Sequence, residues 1–141
     1  MTLTPSLEDY LESIWIIGLD KKVVRVKDIE KFLDVKTSSV IGALKTLAKK
    51  KLIIHERYGY IDLTETGIEK SKEIYKKHKI IAEFLEKILS VDKKTALSDA
   101  CKIEHHIDQQ TLRKLNKFML FVDSHPDGKP DWLTEFHNSV K

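Results

Sequence analysis

The stretch TSSVIGALKTLAKKKLIIHERYGYIDL, residues 37–63, decides the fold of this chain. Val40, Ile41, Leu44 and Leu47 recur at helical spacing and share one face, while Ser39, Lys45 and Lys49 fall elsewhere. Two β-prone runs then flank Arg57-Tyr58-Gly59, which predicts a hairpin. Upstream, residues 27–33 read as a short helix with Ile29, Phe32 and Leu33 inward, and Asp34-Val35-Lys36 as a turn. Thr37 or Ser38 can cap the helix after it. Helix, turn, helix and hairpin in that order predict a winged helix-turn-helix, whose second helix can enter the major groove of DNA.

The charge pattern fits a nucleic-acid face. Residues 36–60 hold six basic side chains (Lys36, Lys45, Lys49, Lys50, Lys51, Arg57) against Glu56 alone, a net of +5. From residue 61 onward 14 basic and 14 acidic residues cancel. A local basic excess on a neutral body is the footprint of a phosphate-binding surface, although a charge run by itself also marks ordinary solvated surface. Thr37, Ser38 and Ser39 at the helix start are the candidates to meet base edges or phosphates. Lys36, Lys45, Lys49 and Lys50 are candidates for phosphate, and Arg57 and Tyr58 for contacts from the wing.

Outward from this core the chain reads as mostly α. Thr4-Pro5-Ser6 starts a helix with Leu7, Tyr10, Leu11, Ile14, Trp15 and Ile17 on its apolar side, and Gly18 is expected to end it. Residues 23–26 allow only a little extended chain. Thr64 is expected to cap a long helix running unbroken to about Leu89, with Gly67 early enough to be tolerated. Further helices are expected over 93–106, over about 109–122 behind Asp108, and over 130–138. The expected division is a winged helix-turn-helix domain, 1–64, and an all-α domain, 65–141. Ile103, Ile107, Leu112, Leu115 and Phe118 are offered either as a dimer interface or as the subunit's own core.

No apolar run approaches the ~18 residues of a membrane span, and the start MTLTPSLEDYLE lacks a secretory signal's basic and apolar regions. The single cysteine, Cys101, excludes an internal disulfide and fits a reducing cytoplasm. Gly-rich phosphate loops, nucleophile elbows and helix-borne zinc-protease motifs are missing, so an enzyme is not expected, nor a small organic substrate.

Separated pieces of the chain carry metal-ligand side chains. Asp9 and Glu12 are spaced i, i+3 on the first helix, Cys101, Glu104 and His105 i, i+3, i+4 on another, and His78 lies midway along the long helix. Carboxylate, imidazole and thiolate together suit first-row transition metals better than calcium or magnesium. Each piece also has a plainer explanation. Acids favour a helix N-terminus, a lone cysteine is often a small core residue, and His78 stands in a lysine stripe.

Several of these segments resemble the diphtheria-toxin-repressor family of metal-dependent regulators, and its manganese-transport-regulator branch in particular. They are residues 6–15 (SLEDYLESIW), Lys36-Thr37-Ser38-Ser39-Val40, Leu63-Thr64-Glu65-Thr66-Gly67, His78, and Ala100-Cys101-Lys102-Ile103-Glu104-His105-His106. The resemblance runs from about Pro5 to Val122. It implies a divalent-metal-dependent repressor that binds double-stranded operator DNA as a homodimer and controls iron or manganese homeostasis genes. It implies the ligand set Asp9, Glu12, His78, Cys101, Glu104 and His105. Asp9 and Glu12 look like the manganese branch and Cys101 like the iron branch, so Fe(II) or Mn(II) is expected, with Zn(II) or Co(II) also binding in vitro. Ala82 and Leu97 stand at two positions of the iron branch's ancillary site and cannot coordinate, so one cluster of one or two ions is expected. The SH3-like third domain of longer members is not expected. Three other functions stay open: a winged-helix regulator sensing oxidation through Cys101, a small metalloenzyme, and a plain dimeric interaction module.

Overall fold

In the computed structural model, which describes residues 3–56 and 59–141, the first helix α1 (Pro5–Asp20) starts where Thr4-Pro5 marks it. The Thr4 hydroxyl accepts the Leu7 amide at 3.2 Å, and Pro5 takes a position whose N–H has no helical partner. Gly18 does not end the helix. α1 continues to Asp20 and closes with the Lys21 amide on the Ile17 carbonyl, because Leu11, Ile14 and Ile17 anchor that turn in the core.

The chain separates into two compact units, one ending at Tyr75 and one spanning Lys76–Lys141. In the first, β1 (Val24–Arg25) leads into α2 (Val26–Leu33), the turn, α3 (Thr37–Lys49), β2 (Ile53–His55) and β3 (Tyr60–Leu63). The three strands form an antiparallel sheet of order β1-β3-β2, with Val24 opposite Ile61 and His55 opposite Ile61 on the other side. The expected hairpin is thus widened by a third strand. Alternation holds along it: Ile53 and Ile61 are buried, while Ile54 and Asp62 are exposed. Leu11, Ile14, Ile29, Val40, Leu44, Leu47 and Ile61 make one core under the helices and sheet.

Two turns of the first unit use left-handed backbone at residues other than glycine. Asp34 (φ 54°) ends α2, and Lys51 (φ 61°) turns α3 into β2. The start of α4 (Glu65–Glu83) is fastened to that second turn. The Thr64 hydroxyl donates to the Lys51 carbonyl at 2.7 Å and accepts the Gly67 amide at 3.0 Å, while the Thr64 amide reaches the Leu52 carbonyl at 3.1 Å. A Cβ at Gly67 would lie 1.9 Å from the Leu52 oxygen, so glycine is required there by contact.

The boundary between the units falls within α4. The helix does not run as a regular α-helix to Leu89. From Phe84 to Ile88 it is a π-helical turn, with the Leu89 amide on the Phe84 carbonyl at 3.3 Å. The second unit continues with α5 (Lys93–Glu104), capped by Asp92, then α6 (Gln109–Asp123), capped by Asp108, and α7 (Asp131–Ser139). It has two small cores. Ile81, Ala82 and Ala100 pack with Leu85, Ile107, Leu112 and Leu115, and Ile88, Met119, Val122 and Leu133 pack with Phe84 and Phe118. Ile107, Leu112, Leu115 and Phe118 therefore serve the unit's own core, and Ile103 is left exposed. No helix among the described residues is long and apolar enough to cross a membrane.

Candidate metal centre and nucleic-acid face

α5 presents its metal-ligating side chains in its last turns. Ala96 and Ala100 are fully buried and seat the helix against its unit. That packing leaves Cys101, Glu104 and His105 together on a neighbouring strip, as i, i+3 and i+4 positions must be. One donor atom from each, the Cys101 sulfur, a Glu104 carboxylate oxygen and a His105 ring nitrogen, lies within 4.8 Å of the others. Ligands about 2.0–2.3 Å from one ion stand no more than about 4.6 Å apart across it, so the spacing fits a shared cation with little adjustment.

Glu104 is 6% exposed, and its Oε1 lies 3.8 Å from Nδ1 of His105. A buried carboxylate is sustained only by positive charge or hydrogen bonds. The donors also fit by type: thiolate, carboxylate and imidazole are ligands of first-row transition metals. The structure distinguishes the two adjacent histidines, for His105 is half-buried beside Glu104 and His106 is exposed. In the first unit Asp9 and Glu12 sit one turn apart on α1, Asp9 half-buried and Glu12 5% exposed. His78 is half-buried on α4.

The other face is that of α3. Val40, Ala43, Leu44 and Leu47 point into the core, which leaves Lys36, Thr37, Ser38, Ser39, Lys45 and Lys49 exposed. Capping differs from expectation. Lys36 occupies the N-cap with extended backbone and gives no side-chain cap, while the Thr37 hydroxyl donates to Oε1 of Glu30 on α2. Neither Thr37 nor Ser38 caps, because both are already inside the helix. Arg57 and Tyr58 lie outside the described residues.

Three side chains here went unnoticed in the sequence. Glu30 is one. Arg25 and Tyr60 are the others, paired across β1 and β3 with the guanidinium 5.1 Å above the ring and Nη2 donating to the phenol oxygen at 3.3 Å. Their signal is strand register, and two residues of β1 carry no periodicity to reveal it. Nearby, Lys21 donates to Asp28 at 2.5 Å and, with the Arg25 amide at 3.0 Å, holds the Asp28 carboxyl below the usual carboxylate range.

Comparison with known proteins gives matches to both halves in order. Residues 2–61 match the iron-dependent-repressor N-terminal DNA-binding domain. Residues 64–133 match the iron-dependent-repressor metal-binding and dimerisation domain. An HTH-type transcriptional regulator of Methanocaldococcus jannaschii is 39% identical over 118 residues, covering 83% of this chain and 94% of that protein. The HTH-type transcriptional regulator MntR of Bacillus subtilis is 31% identical over 140 residues, covering 96% and 98%. Among solved structures, IdeR of T. acidophilum superposes with a TM-score of 0.74 at 25% identity over 92% of this chain. The metal-dependent transcriptional regulator MtsR does so with a TM-score of 0.76 at 25% identity over 86%. The chain spans 60% and 56% of the length of those two structures. With both domains matched in sequence order and relatives aligned along almost their whole length, the chain belongs to the iron-dependent repressor family of metal-dependent transcriptional regulators.

Proposed function

We propose that this chain is a cytoplasmic, homodimeric repressor of iron or manganese homeostasis genes, active on operator DNA when a divalent transition metal is bound, and that it catalyses no reaction. The observation that carries the proposal is the convergence of the Cys101, Glu104 and His105 donors at the end of α5. Asp9 and Glu12 on α1 and His78 on α4 are proposed to complete the ligand set. When bound, the ion supplies positive charge that links these side chains. On this proposal residues 1–64 are the DNA-binding domain and 65–141 the metal-binding and dimerisation domain.

The thiolate of Cys101 favours Fe(II), while the two α1 carboxylates suit Mn(II). Zn(II) and Co(II) should bind in vitro, as the divalent affinity series requires. Thr37, Ser38 and Ser39 are proposed to meet base edges, Lys36, Lys45 and Lys49 to meet phosphates, and Arg57 and Tyr58 to extend the contact from the wing. Family membership supports this function over oxidation sensing through Cys101 and over a metalloenzyme.

The test is anaerobic operator binding with Fe(II), Mn(II) and Zn(II) titrated separately against wild type and Cys101→Ala. Metal-stimulated binding by wild type, with altered metal preference in the variant, is expected. Release of DNA by peroxide with metal still in place would favour the oxidation sensor instead.

A further inference from the structure

Thr37 is the first residue of α3 and is exposed, and its hydroxyl hydrogen goes to Oε1 of Glu30, a half-buried side chain on α2. The direction of this bond is fixed by chemistry. A hydroxyl has one hydrogen and two lone pairs, and a carboxylate only accepts. With its hydrogen committed, Thr37 has only lone pairs left to offer. In the major groove the exposed donors are the adenine N6 and cytosine N4 amino groups, whereas guanine N7 and O6 and thymine O4 accept.

On the proposed role of α3 as the reading helix, on which this rests, we infer that Glu30 sets the base preference of Thr37. It makes the hydroxyl an acceptor for adenine or cytosine and closes it to guanine and thymine. The charge of Glu30 acts in the same sense, since a carboxylate beside the hydroxyl attracts an amino edge and repels a carbonyl edge. Glu30 is a positioning residue here: it acts through Thr37.

Helix capping does not explain the bond. The N-cap is Lys36, and the Thr37 hydroxyl is spent on another helix rather than on the backbone of α3. A tie that only held α2 to α3 would leave base preference unmoved, and this separates the two roles.

The experiment selects duplexes from a randomised pool with the full chain and Mn(II), sequencing the bound fraction for wild type, Glu30→Ala, Glu30→Gln and Thr37→Val. Circular-dichroism melts verify that each variant folds. Wild type should enrich adenine or cytosine at one position of each half-site by roughly three- to tenfold, the range for one hydrogen bond. Glu30→Ala and Thr37→Val should both flatten that position to about twofold or less while other positions keep their preference. Glu30→Gln, whose side-chain carbonyl accepts the same hydrogen, should retain the preference. An unchanged profile in Glu30→Ala or Thr37→Val overturns the inference. If Glu30→Ala fails to fold, Glu30→Leu, which keeps the bulk and removes the acceptor, decides by the same criterion. A wild-type chain that enriches no duplex overturns the proposed repressor function, and this inference with it. A wild-type chain that selects a sequence which the variants share overturns the inference alone.

Discussion

Gly67 stands where no side chain fits. A methyl group there would collide with the Leu52 carbonyl, and backbone cannot step aside as a flexible side chain can. Gly67→Ala should cost about 2–3 kcal/mol of stability by urea denaturation, at the upper end for overpacking. An unchanged midpoint would show slack in the turn. The sequence marks this glycine only as early in a helix, because the atom it avoids belongs to another element. Asp28 gives a pH signature. Its carboxyl is held low by Lys21 and by the Arg25 amide, so the stabilisation is complete above the ordinary carboxylate range and is lost as pH falls through the lowered value. Asp28→Asn should melt below wild type at pH 7, with the gap closing under strongly acidic conditions. A gap that is the same at both ends would contradict the assignment. Cys101 is proposed as a thiolate ligand, so the Co(II)-loaded chain should show sulfur-to-cobalt charge-transfer absorption that Cys101→Ser abolishes. Absorption that survives the substitution would remove Cys101 from the ligand set.

At the scale of elements, legibility followed periodicity. α2, α3, β2 and β3 were readable because most of their apolar residues repeat at 3.6 or 2 and one core receives them, although Phe32, expected inward on α2, is 50% exposed. β1 was not readable as a sheet member, since two residues cannot show a period and their partner lies far along the chain. The π-helical turn was hidden for a related reason. Its apolar residues Phe84, Leu85 and Ile88 satisfy a helical pattern equally well, so periodicity does not reveal the wider turn. The candidate metal centre divides the same way. Helical spacing puts Cys101, Glu104 and His105 on one face, and the choice of His105 over the adjacent His106 came from the family resemblance. Asp9, Glu12 and His78 were joined to that set only by family resemblance, because spacing within one helix cannot link it to another. Thr64 both caps α4 and ties it to the α3–β2 turn, so Thr64→Ala should lower stability by about 1–2 kcal/mol in the same urea assay. A neutral result would show that the Thr64 amide and Gly67 suffice.

Across the whole molecule, the basic excess sits in the segment that builds α3 and the wing, while residues 61–141 are electrically balanced and residues 1–35 are slightly acidic. Proposed phosphate contacts from Lys45 and Lys49 make binding salt-dependent. Replacing both by alanine should reduce the slope of log affinity against log salt by about 2, close to 0.9 per phosphate. An unaltered slope would place the phosphate contacts elsewhere. Metal control requires that the ion favour the DNA-competent state over others, and coupling of this kind is typically worth ~1–3 kcal/mol. The most direct measurement is fluorescence anisotropy of a selected duplex under anaerobic conditions, with Fe(II) or Mn(II) titrated against wild type and Glu104→Ala. Wild type should bind roughly 5–150-fold more tightly with metal than with chelator, and Glu104→Ala should fold normally yet lose that gain. Equal affinity with metal and with chelator, or a full metal response in Glu104→Ala, would contradict it.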